Sequence, residues 1–574
     1  MNILAINPGH NGSAALLIDG ELKFYIEEER LSRNKYDGNP FRGIIEALKY
    51  GVDTLVIGGT TNELPELPWT GEDPYTALIR KFFPTARSIK VGHAHHIGHA
   101  AAAVYNSGFK DAAAVIVDGS GSRVGIPINL DNEVREYNYG FETESIFDCD
   151  YKEGIKPVFQ YYGGNPDTNR LVSEKLDMKS NVTIVKSYEA VSDYLGFGFI
   201  EAGKTMGLAP YGSKNKEIPP LFINGMGNKN LFIPGYPAGA YVDYMSYPYL
   251  NRKESPSNWH KNPKKVTQAA KDLAWAVQNE TQTLVGDLIE EAVKKTGKKN
   301  IVIAGGYGLN CVANYYYKKR FPDLNIYVDP ISHDGGTAIG LAYLVHYTET
   351  KDETIRPLKS LYLGPKHEES YDFGDIETEK VEPADIAKLI SEKNIVAMYQ
   401  GRSEAGPRAL GNRSILYDPT DPNGKDTVNK VKGREWFRPF AGSMMQEYFE
   451  EWFDTYGMEE SPFMMYAMDF KLEKHGECPA ITHVDGTCRI QTVTKEQNET
   501  YHTLIDEFRK ITGVPILFNT SFNLAGDPLV ETLEDAMRTI KNSDINYLYL
   551  PEQSLLVKYP YNDYVVEEVE EEAA

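Results

Sequence analysis

Short apolar runs that end at glycine or aspartate recur along the N-terminal part of the chain, and they constrain the fold more than any other feature. Three of them are AAAVIVDG, NIVIAGG and NIYVDP, and a fourth run of the same type is GVDTLVIGG. Short apolar runs bounded by turn residues are typical of buried strands. Such strands, alternating with helical segments, predict an α/β protein whose ligands bind at the carboxyl ends of the strands.

The stretch at residues 93–121 carries the most specific pattern. Its first part, HAHHIGHAAAAVYN, is rich in alanine and free of proline, and it should form a helix. On a helix, His95 and His99 project from one face, so that both imidazoles can bind a single metal ion. The strand that follows ends at Asp118, which would place a carboxylate at its carboxyl end. Imidazole and carboxylate ligands together suit a divalent cation.

The alternative for these histidines is a hydrogen-bonded place in the core, where a single histidine on an apolar face is more often found. We prefer the metal interpretation for His95 and His99 because a pair at helical spacing precedes a strand-end carboxylate. His93 and His96 face elsewhere on the same helix, and for them we expect a structural role. Asp334 follows the run NIYVDP and precedes two glycines, so it is a second strand-end carboxylate and a further candidate for the same metal.

Glycine-rich turns mark places where an anion can approach the backbone. After the strand NIVIAGG, Gly305, Gly306 and Gly308 precede a helix that we expect to begin near Leu309, and a helix N-terminus attracts anions. The segment EAGKTMGLAPYG is too broken for a long helix and lacks P-loop spacing. The turn PGHNG would bring His10 and backbone amides close to a ligand, although the turn alone would explain its glycines.

The composition is that of a folded protein with an acidic surface. The 574 residues are too many for one hydrophobic core, and 41% of them are hydrophobic and 25% charged. Lysine and arginine total 60 against 82 acidic residues, and the net charge of −22 disfavours duplex nucleic acid and anionic membranes as bulk partners. No long apolar run or signal-like leader is present, so we expect no membrane span. Four cysteines without a CxxC pair fit a reducing cytoplasm.

Two charged or irregular segments have open interpretations. The run from Glu27 to Arg30, followed by Arg33 and Lys35, is most simply a solvated face, although it could also line an acceptor pocket. Residues 211–265 are rich in proline, tyrosine, asparagine and glycine and predict an irregular insertion that could cover a substrate.

The second half of the chain is locally basic. After a polar, acidic link near residues 350–380, residues 401–444 hold eight basic and five acidic side chains, a local charge of +3. This contrast predicts an anion pocket, because a guanidinium can pair with phosphate or carboxylate through two parallel hydrogen bonds. The alternative is a set of internal salt bridges. The segments HVDGTCRIQTV and ILFNTSFN add polar groups that could hold a small carbonyl compound.

The motifs HHIGH, VDGSG, GKTMGLAPYG, GGYGLN and SHDGGTAIG, in this order, resemble the O-carbamoyltransferase family of the NodU and CmcH type, which includes the enzyme that carbamoylates tobramycin. GPRALG, VKGREWFRPF, RIQTV and NTSFN extend the resemblance through the second half. It implies an actin/Hsp70/sugar-kinase-like N-terminal domain of two ribonuclease-H-like lobes at residues 1–355. A YrdC-like α/β domain would follow at residues 375–565, and residues 566–574 would be an acidic tail.

The resemblance also implies an activity. The C-terminal domain would convert carbamoyl phosphate and ATP, with magnesium, to carbamoyl adenylate. The N-terminal domain would pass the carbamoyl group to a hydroxyl of a sugar, an antibiotic or a hydroxymethylated nucleotide or base. The implied divalent metal is iron(II), and its ligands carry over to His95, His99, Asp118 and Asp334.

The remaining implied site residues fall into three sets. The nucleotide-binding set is Gly203, Lys204, Gly207, Gly305, Gly306, Gly308 and Asn310. The set for carbamoyl phosphate and the ATP phosphates is Arg408, Lys432, Arg434, Arg438, Arg489, Asn519 and Ser521. Catalytic roles would fall on His10 as a base, His95 and His99 at the metal, and Lys432 and Arg434 against developing phosphate charge.

Two other functions share parts of this pattern. A threonylcarbamoyl-type tRNA modification enzyme would contain both domain types, but the acidic composition disfavours it. A nucleotide-binding scaffold of the actin/Hsp70 sort would bind ATP without forming a carbamoyl product.

Overall fold

The computed structural model describes residues 1–59, 71–130, 133–164, 170–173, 176–180, 182–235, 239–243, 266–367 and 370–559. Within these ranges three large mixed sheets are packed with helices, which confirms the α/β class. Part of the predicted insertion, residues 236–238 and 244–265, and the whole acidic tail at residues 566–574 lie outside the described residues. No described helix combines the length and apolar character needed to cross a bilayer.

The first sheet contains the first strands of the chain. Its elements and those packed on it are β1 (Asn2–Asn7), β2 (Ser13–Ile18), β3 (Glu21–Glu27), α1 (Glu28–Ser32), α2 (Phe41–Ala47), β4 (Thr54–Gly58), α3 (Pro74–Phe82) and β5 (Arg87–Val91). The strand order is β3-β2-β1-β4-β5. β1, β2 and β3 form an antiparallel meander, whereas β4 and β5 run parallel to β1.

The second sheet repeats this pattern. Its region contains α4 (His95–Ser107), β6 (Asp111–Val117), β7 (Arg123–Leu130), β8 (Glu133–Asp150), β9 (Gly154–Gly164), β10 (Arg170–Ser173), β11 (Leu176–Ser180), α5 (Ile184–Tyr194), α6 (Ala202–Leu208), β12 (Phe222–Ile223), β13 (Met226–Gly227), β14 (Phe232–Gly235), β15 (Gly239–Val242), α7 (Gln268–Thr296), β16 (Asn300–Ala304), α8 (Cys311–Arg320), β17 (Asn325–Val328) and α9 (Gly336–Thr350). β9, β8 and β6 are antiparallel neighbours, and β16 and β17 run parallel to β6. Two halves with the same order and directions are consistent with the predicted two-lobed N-terminal part.

The third sheet belongs to the C-terminal unit. Its elements are β18 (Glu377–Lys380), α10 (Pro383–Ser391), β19 (Val396–Tyr399), β20 (Arg413–Tyr417), α11 (Gly424–Lys432), β21 (Ala441–Met445), α12 (Phe449–Trp452), β22 (Ala467–Asp469), β23 (Thr487–Val493), α13 (Lys495–Thr512), β24 (Ile516–Ser521), α14 (Leu533–Lys541), β25 (Tyr547–Leu550) and β26 (Leu555–Lys558). The nine strands lie in the order β18-β26-β25-β19-β20-β24-β21-β23-β22.

Two helices, α4 and α9, fill the space between the first two sheets. α9 packs on β1, β2 and β4, while α4 packs on β6, β16 and α9. The two helices cross at glycines: a Cβ on Gly340 would lie 1.8 Å from the carbonyl oxygen of Gly98. Because no larger side chain fits there, the two glycines let the helices approach closely. This crossing brings the start of α4 close to the loop that precedes α9.

Local sequence signals explain where several helices end. α7 begins after Thr267, whose side chain accepts a hydrogen bond from the Ala270 amide, and it ends at Gly297 in the left-handed region with φ +70°. The helix expected near Leu309 begins slightly later, because a 3-10 turn at Gly306–Leu309 precedes α8.

Part of the link near residues 350–380, which joins the N-terminal part to the C-terminal unit, packs against the rest of the protein. Leu361 and Leu363 are buried, and the Leu363 carbonyl accepts hydrogen bonds from the Tyr25 amide and from the Arg402 guanidinium. Because one carbonyl serves both the first sheet and the C-terminal unit, this link fixes the two parts against each other.

Candidate metal cluster and anion pocket

Four side chains predicted as metal ligands lie together. We call His95, His99, Asp118 and Asp334 the metal cluster; one potential ligand atom from each lies within 4.8 Å of the others. The His95 Nε2 atom is 3.3 Å from Asp118 Oδ2, 3.7 Å from Asp334 Oδ1 and 3.2 Å from His99 Nε2. Among the described residues, this is the one group of histidine, cysteine and acidic side chains close enough to hold a metal ion.

Helix α4 and the end of strand β6 carry three of these four residues. His95 and His99 lie on α4, where the His95 amide donates to Ser122 Oγ at 3.1 Å. Asp118 directly follows β6, as predicted, and its Oδ1 atom accepts a hydrogen bond from the Gly306 amide at 2.9 Å. The backbone of His95 and the side chain of Asp118 are therefore held by hydrogen bonds within the protein.

Asp334 is not a strand-end residue, which corrects the sequence interpretation. The residue that follows β17 is Asp329, which is fully buried and accepts a hydrogen bond from Asn106 at 2.9 Å. The Asp329 side chain also accepts from the Ile331 amide, which starts the turn that leads the chain toward α9. Asp334 lies in the loop after this turn, immediately before the first turn of α9.

The cluster favours a positive charge at its centre. Although burial alone would lower it, the carboxylates of Asp334 and Asp118 raise the pKa of His95 to about 9. Burial and the neighbouring His95 hold the pKa of His99 well below its usual range. Two imidazole nitrogens that face each other at 3.2 Å repel unless a proton or a cation lies between them. The donor set therefore fits a divalent metal.

The other two histidines of this stretch are not metal ligands here. His96 is fully buried, and its Nδ1 atom lies 2.7 Å from Ser145 Oγ, in agreement with a structural role. His93 is exposed and precedes α4, so the prediction that it lies on the same helix is wrong. The helix begins later because His93 adopts a left-handed conformation with φ +52°.

His10 lies at the surface near the metal cluster. Its ring stacks on Tyr36 at 5.4 Å between centroids, and the Tyr36 hydroxyl donates to Glu201 at 3.3 Å. The His10 ring lies close enough to Asp334 for its positive form to lower the pKa of that carboxyl. This arrangement leaves the imidazole in contact with solvent beside the cluster.

The glycine turn after β16 lies between the metal cluster and the C-terminal unit. At one end Gly306 contacts Asp118, and at the other the Leu309 carbonyl accepts a hydrogen bond from Arg408 at 3.1 Å. Asn310 caps α8 by accepting from the Ala313 amide, so this predicted nucleotide ligand also has a structural task. Gly308 allows a close approach, because a Cβ there would lie 2.5 Å from Ser332 Oγ.

The GKTMG segment forms α6 and faces the C-terminal unit. A Cβ on Gly207 would lie 3.1 Å from Pro439, and Lys204 Nζ is 2.9 Å from a carboxylate oxygen of Glu435. Gly203, in contrast, has open space around it. These predicted nucleotide residues therefore lie where the two units meet.

Five basic residues of the C-terminal unit form a second cluster, which we call the anion pocket: Arg408, Lys432, Arg434, Arg438 and Arg489. Arg438 forms an ion pair with Glu435 at 3.3 Å. Among the described residues, Arg408, Arg434 and Arg489 form no ion pair, and their buried Nε atoms have no hydrogen-bond partner. Internal salt bridges, the alternative for this basic region, therefore do not account for these three.

Like charges depress the pKa values in the anion pocket. Burial and the neighbouring Arg489 lower the pKa of Arg408 to about 9. Burial, with the charges of Arg434 and Arg438, holds the pKa of Lys432 well below its usual range, and Arg434 responds in the same way to burial and to Arg438. Lys432 is buried and the four arginines are half-buried, and most of these charges have no counter-charge, so the pocket favours binding of an anion.

Lys432, Asn519 and Ser521 also brace the pocket wall. The Lys432 ammonium donates to the Ser521 hydroxyl at 3.3 Å and to two oxygens of Asn523 at 3.0 Å. Asn519 donates to the Ala409 carbonyl at 3.2 Å, next to Arg408. In this conformation the donors of Lys432 are therefore used within the protein.

The charged run at the end of β3 is not a solvated face. Glu27, Glu28 and Arg30 are buried, with relative exposures of 4%, 2% and 2%. Arg30 donates to the Gly406 carbonyl, so the C-terminal unit covers it. Sequence reasoning also missed His333, which contacts Glu27 at 3.0 Å. The one available signal was that this run continues directly from a buried strand.

The metal cluster and the anion pocket, joined by a glycine turn on an α/β scaffold, are two candidate ligand sites of opposite charge. Comparison with known proteins identifies the family. A model described as Carbamoyltransferase N-terminus matches residues 78–343, and one described as Carbamoyltransferase C-terminus matches residues 387–558. The chain therefore belongs to the carbamoyltransferase family and is a transferase enzyme.

Individual relatives cover most of the chain. Nodulation protein NolNO of Sinorhizobium fredii is 30% identical over 94% of this chain and 78% of its own. The 3'-hydroxymethylcephem-O-carbamoyltransferase of Streptomyces clavuligerus is 26% identical over 94% of this chain and 96% of its own. A solved structure of full-length HypF, in a phosphate- and nucleotide-bound form, overlaps 61% of this chain and 56% of its own at 14% identity. Its TM-score of 0.34 is too low to support a structural argument.

Proposed function

We propose that this protein is an ATP-dependent O-carbamoyltransferase that works in two steps, one at each site. The observation that carries the proposal is the connection between the sites: the turn Gly306–Leu309 contacts Asp118 of the metal cluster and Arg408 of the anion pocket. The name of the cephem relative describes transfer of a carbamoyl group to a hydroxymethyl oxygen, which supports the same reaction class here.

The first step takes place in the anion pocket. Carbamoyl phosphate is hydrolysed to carbamate and inorganic phosphate, and a carbamate oxygen attacks the α-phosphorus of ATP. The bond to the β-phosphate breaks, so that pyrophosphate leaves and carbamoyl adenylate remains. Arg408, Arg434, Arg438 and Arg489 neutralise phosphate charge and position the reactants, with magnesium on the ATP; Lys432 supports Ser521. The bound anions also relieve the repulsion among the neighbouring cations.

The second step takes place at the metal cluster. The acceptor hydroxyl oxygen attacks the carbamoyl carbon, the bond from that carbon to the phosphate oxygen breaks, and AMP leaves with the electron pair. His10 takes the hydroxyl proton, since its exposed ring lies beside the cluster and an imidazole nitrogen can act as a general base. His95, His99, Asp118 and Asp334 would hold a divalent metal, iron(II) in this proposal, which supplies Lewis acidity toward the carbonyl and phosphate oxygens.

The adenylate would lie between the two sites. The glycines at 305, 306 and 308 with Asn310, and the α6 residues Gly203, Lys204 and Gly207, border the junction of the two units. In this proposal they contact the nucleotide. The proposed domains are an actin/Hsp70/sugar-kinase-like unit at residues 1–355 and a YrdC-like unit at residues 375–565.

Pyrophosphate release tests the first step without knowledge of the acceptor. We expect the protein with carbamoyl phosphate, ATP and magnesium, and with no acceptor, to release pyrophosphate. Arg434→Gln should reduce the rate about 10- to 100-fold, as expected for one lost charge-assisted phosphate contact. Arg538→Gln, which removes an exposed guanidinium from the same unit, serves as the matched control. An unmodified protein that releases no pyrophosphate would contradict the proposal.

A further inference from the structure

A buried ion pair lies behind the metal cluster. Glu27, the last residue of β3, and Arg30, on α1, are buried, and Glu27 Oε2 lies 3.4 Å from Arg30 Nε. Charges are expensive to bury, so the further contacts of the two partners matter for the pair. Each partner has a second contact, and the two contacts lead in different directions.

The Glu27 contact leads to the metal cluster. Its Oε1 atom is 3.0 Å from His333 Nε2, and His333 Nδ1 accepts a hydrogen bond from the Gly335 amide at 3.1 Å. Since Nδ1 is an acceptor, the ring proton lies on Nε2 and is donated to Glu27. His333 and Gly335 are the two neighbours of Asp334, so His333, which Glu27 orients, ties together the two sides of that ligand.

The Arg30 contact leads to the anion pocket. Its Nη2 atom donates to the Gly406 carbonyl at 2.6 Å, and Gly406, with φ +84°, lies against Pro330 of the loop that carries Asp334. Two residues further along the chain is Arg408, which belongs to the pocket. The same ion pair therefore touches the loop of one site and the loop of the other.

We infer that Glu27 and Arg30 are positioning residues, which set the Asp334 loop of the metal cluster and the Arg408 loop of the anion pocket in one fixed arrangement. The inference rests on the proposed two-step function, which gives the two loops their roles. Neither residue contacts substrate. Glu27 acts through His333 on Asp334, and Arg30 acts through Gly406 on Arg408.

Cobalt(II) binding, measured by calorimetry on the full chain, reads out the Glu27 side. Loss of a partner that orients a metal ligand commonly costs about 10- to 100-fold in affinity. We expect Glu27→Gln to weaken cobalt(II) binding within this range, because the carboxamide is a poorer acceptor for His333. Pyrophosphate release by this variant should fall less than its cobalt(II) affinity, because Arg30 keeps its hydrogen bond to the Gly406 carbonyl.

Arg30→Met should affect both sites, weakening cobalt(II) binding and slowing pyrophosphate release. Because this change leaves Glu27 buried without its partner, the double variant Glu27→Gln/Arg30→Met keeps the test valid if the single variant does not fold. Arg33→Met is the matched control: Arg33 also docks on the C-terminal unit, by donating to the Pro528 and Leu529 carbonyls, but it does not contact the Asp334 loop. It should leave cobalt(II) affinity unchanged.

Two results would overturn the inference. One is unchanged cobalt(II) affinity in a folded Glu27→Gln protein, and the other is an equal loss of affinity in Arg33→Met, which would show that docking of the units alone matters. Failure of the proposed function has a different signature, namely no pyrophosphate release by the unmodified protein while its cobalt(II) binding still depends on Glu27.

Discussion

The metal cluster and the anion pocket balance their charges in opposite ways. In the metal cluster, two carboxylates surround two imidazoles, and His95 can carry a proton that partly neutralises Asp118. In the anion pocket, five basic groups lie together, and among the described residues the one ion pair they form is between Arg438 and Glu435. The charges of the metal cluster are therefore largely compensated before a metal binds. The positive charges of the anion pocket repel one another until an anion enters.

The two sites also differ in how the chain builds them. The metal cluster depends on one crossing of two helices, α4 and α9, that brings distant residues together. The anion pocket is lined by loops of one unit and closed by contacts with the other, such as Arg408 to the Leu309 carbonyl. The metal cluster should lose its geometry when the helix crossing is disturbed. The anion pocket should instead respond to changes in its charge or in its bound anion.

The largest expected effect is on the helix crossing. Gly340→Ala would place a Cβ 1.8 Å from the Gly98 carbonyl oxygen, so the helices must separate. We expect the free energy of unfolding to fall by about 3 kcal/mol or more, with loss of cobalt(II) binding. Urea denaturation and calorimetry measure both. Gly203→Ala, a helical glycine with open space around it, should change stability by less than about 1 kcal/mol.

Inorganic phosphate should stabilise the protein through the anion pocket. At a phosphate concentration of about 100 times the dissociation constant, binding to the folded state alone adds about 2.7 kcal/mol to the free energy of unfolding. Arg438→Gln should remove most of this gain, whereas Arg538→Gln should retain it. An equal phosphate effect in both variants would mean that the anion binds elsewhere.

The sequence predicted the metal cluster better than the anion pocket's details, for physical reasons. His95, His99 and Asp118 were visible because helical spacing and a strand end are local properties. The burial of Arg30 depends on the C-terminal unit that covers it, which no local pattern reveals. The local excess of positive charge predicted the pocket itself, but nothing in the sequence showed that Lys432 would donate to Ser521.

Acid should weaken the joint between the two units. Burial and the charge of Lys425 lower the pKa of His483 to about 4, and its neutral ring contacts the Gly207 carbonyl at 3.0 Å. Because an unfolded histidine titrates near 6.5, the unfolded chain binds more protons in acid, and the stability present above that pH is lost as the pH falls toward 4.

The loss from this one group should reach about 2 kcal/mol by pH 5. Denaturation at several pH values would show a shallower decline for His483→Gln, which cannot titrate. His93→Gln, at an exposed position, should follow the unmodified protein. Identical pH profiles for all three proteins would contradict the assignment.

The smallest effect distinguishes the two sites by its sign. Arg489→Met removes a half-buried cation, whose Nε atom has no hydrogen-bond partner, from a pocket of like charges, so the ligand-free protein should gain about 1 kcal/mol of stability. Asp118→Asn, in the metal cluster, should destabilise, because it leaves the protonated His95 with less compensation. Both are measured by denaturation in buffer free of phosphate and metal. Destabilisation by both changes would show that the pocket is balanced without an anion.

The division of labour between the sites is tested most directly by Asp334→Asn supplied with carbamoyl phosphate, ATP and a library of hydroxyl acceptors. Pyrophosphate release and the mass of the acceptors are measured in the same reaction, beside the unmodified protein. The account predicts that the variant releases pyrophosphate at a normal rate while no acceptor gains the mass of a carbamoyl group. Carbamoylated acceptor from this variant, or loss of its pyrophosphate release in a folded protein, would contradict it.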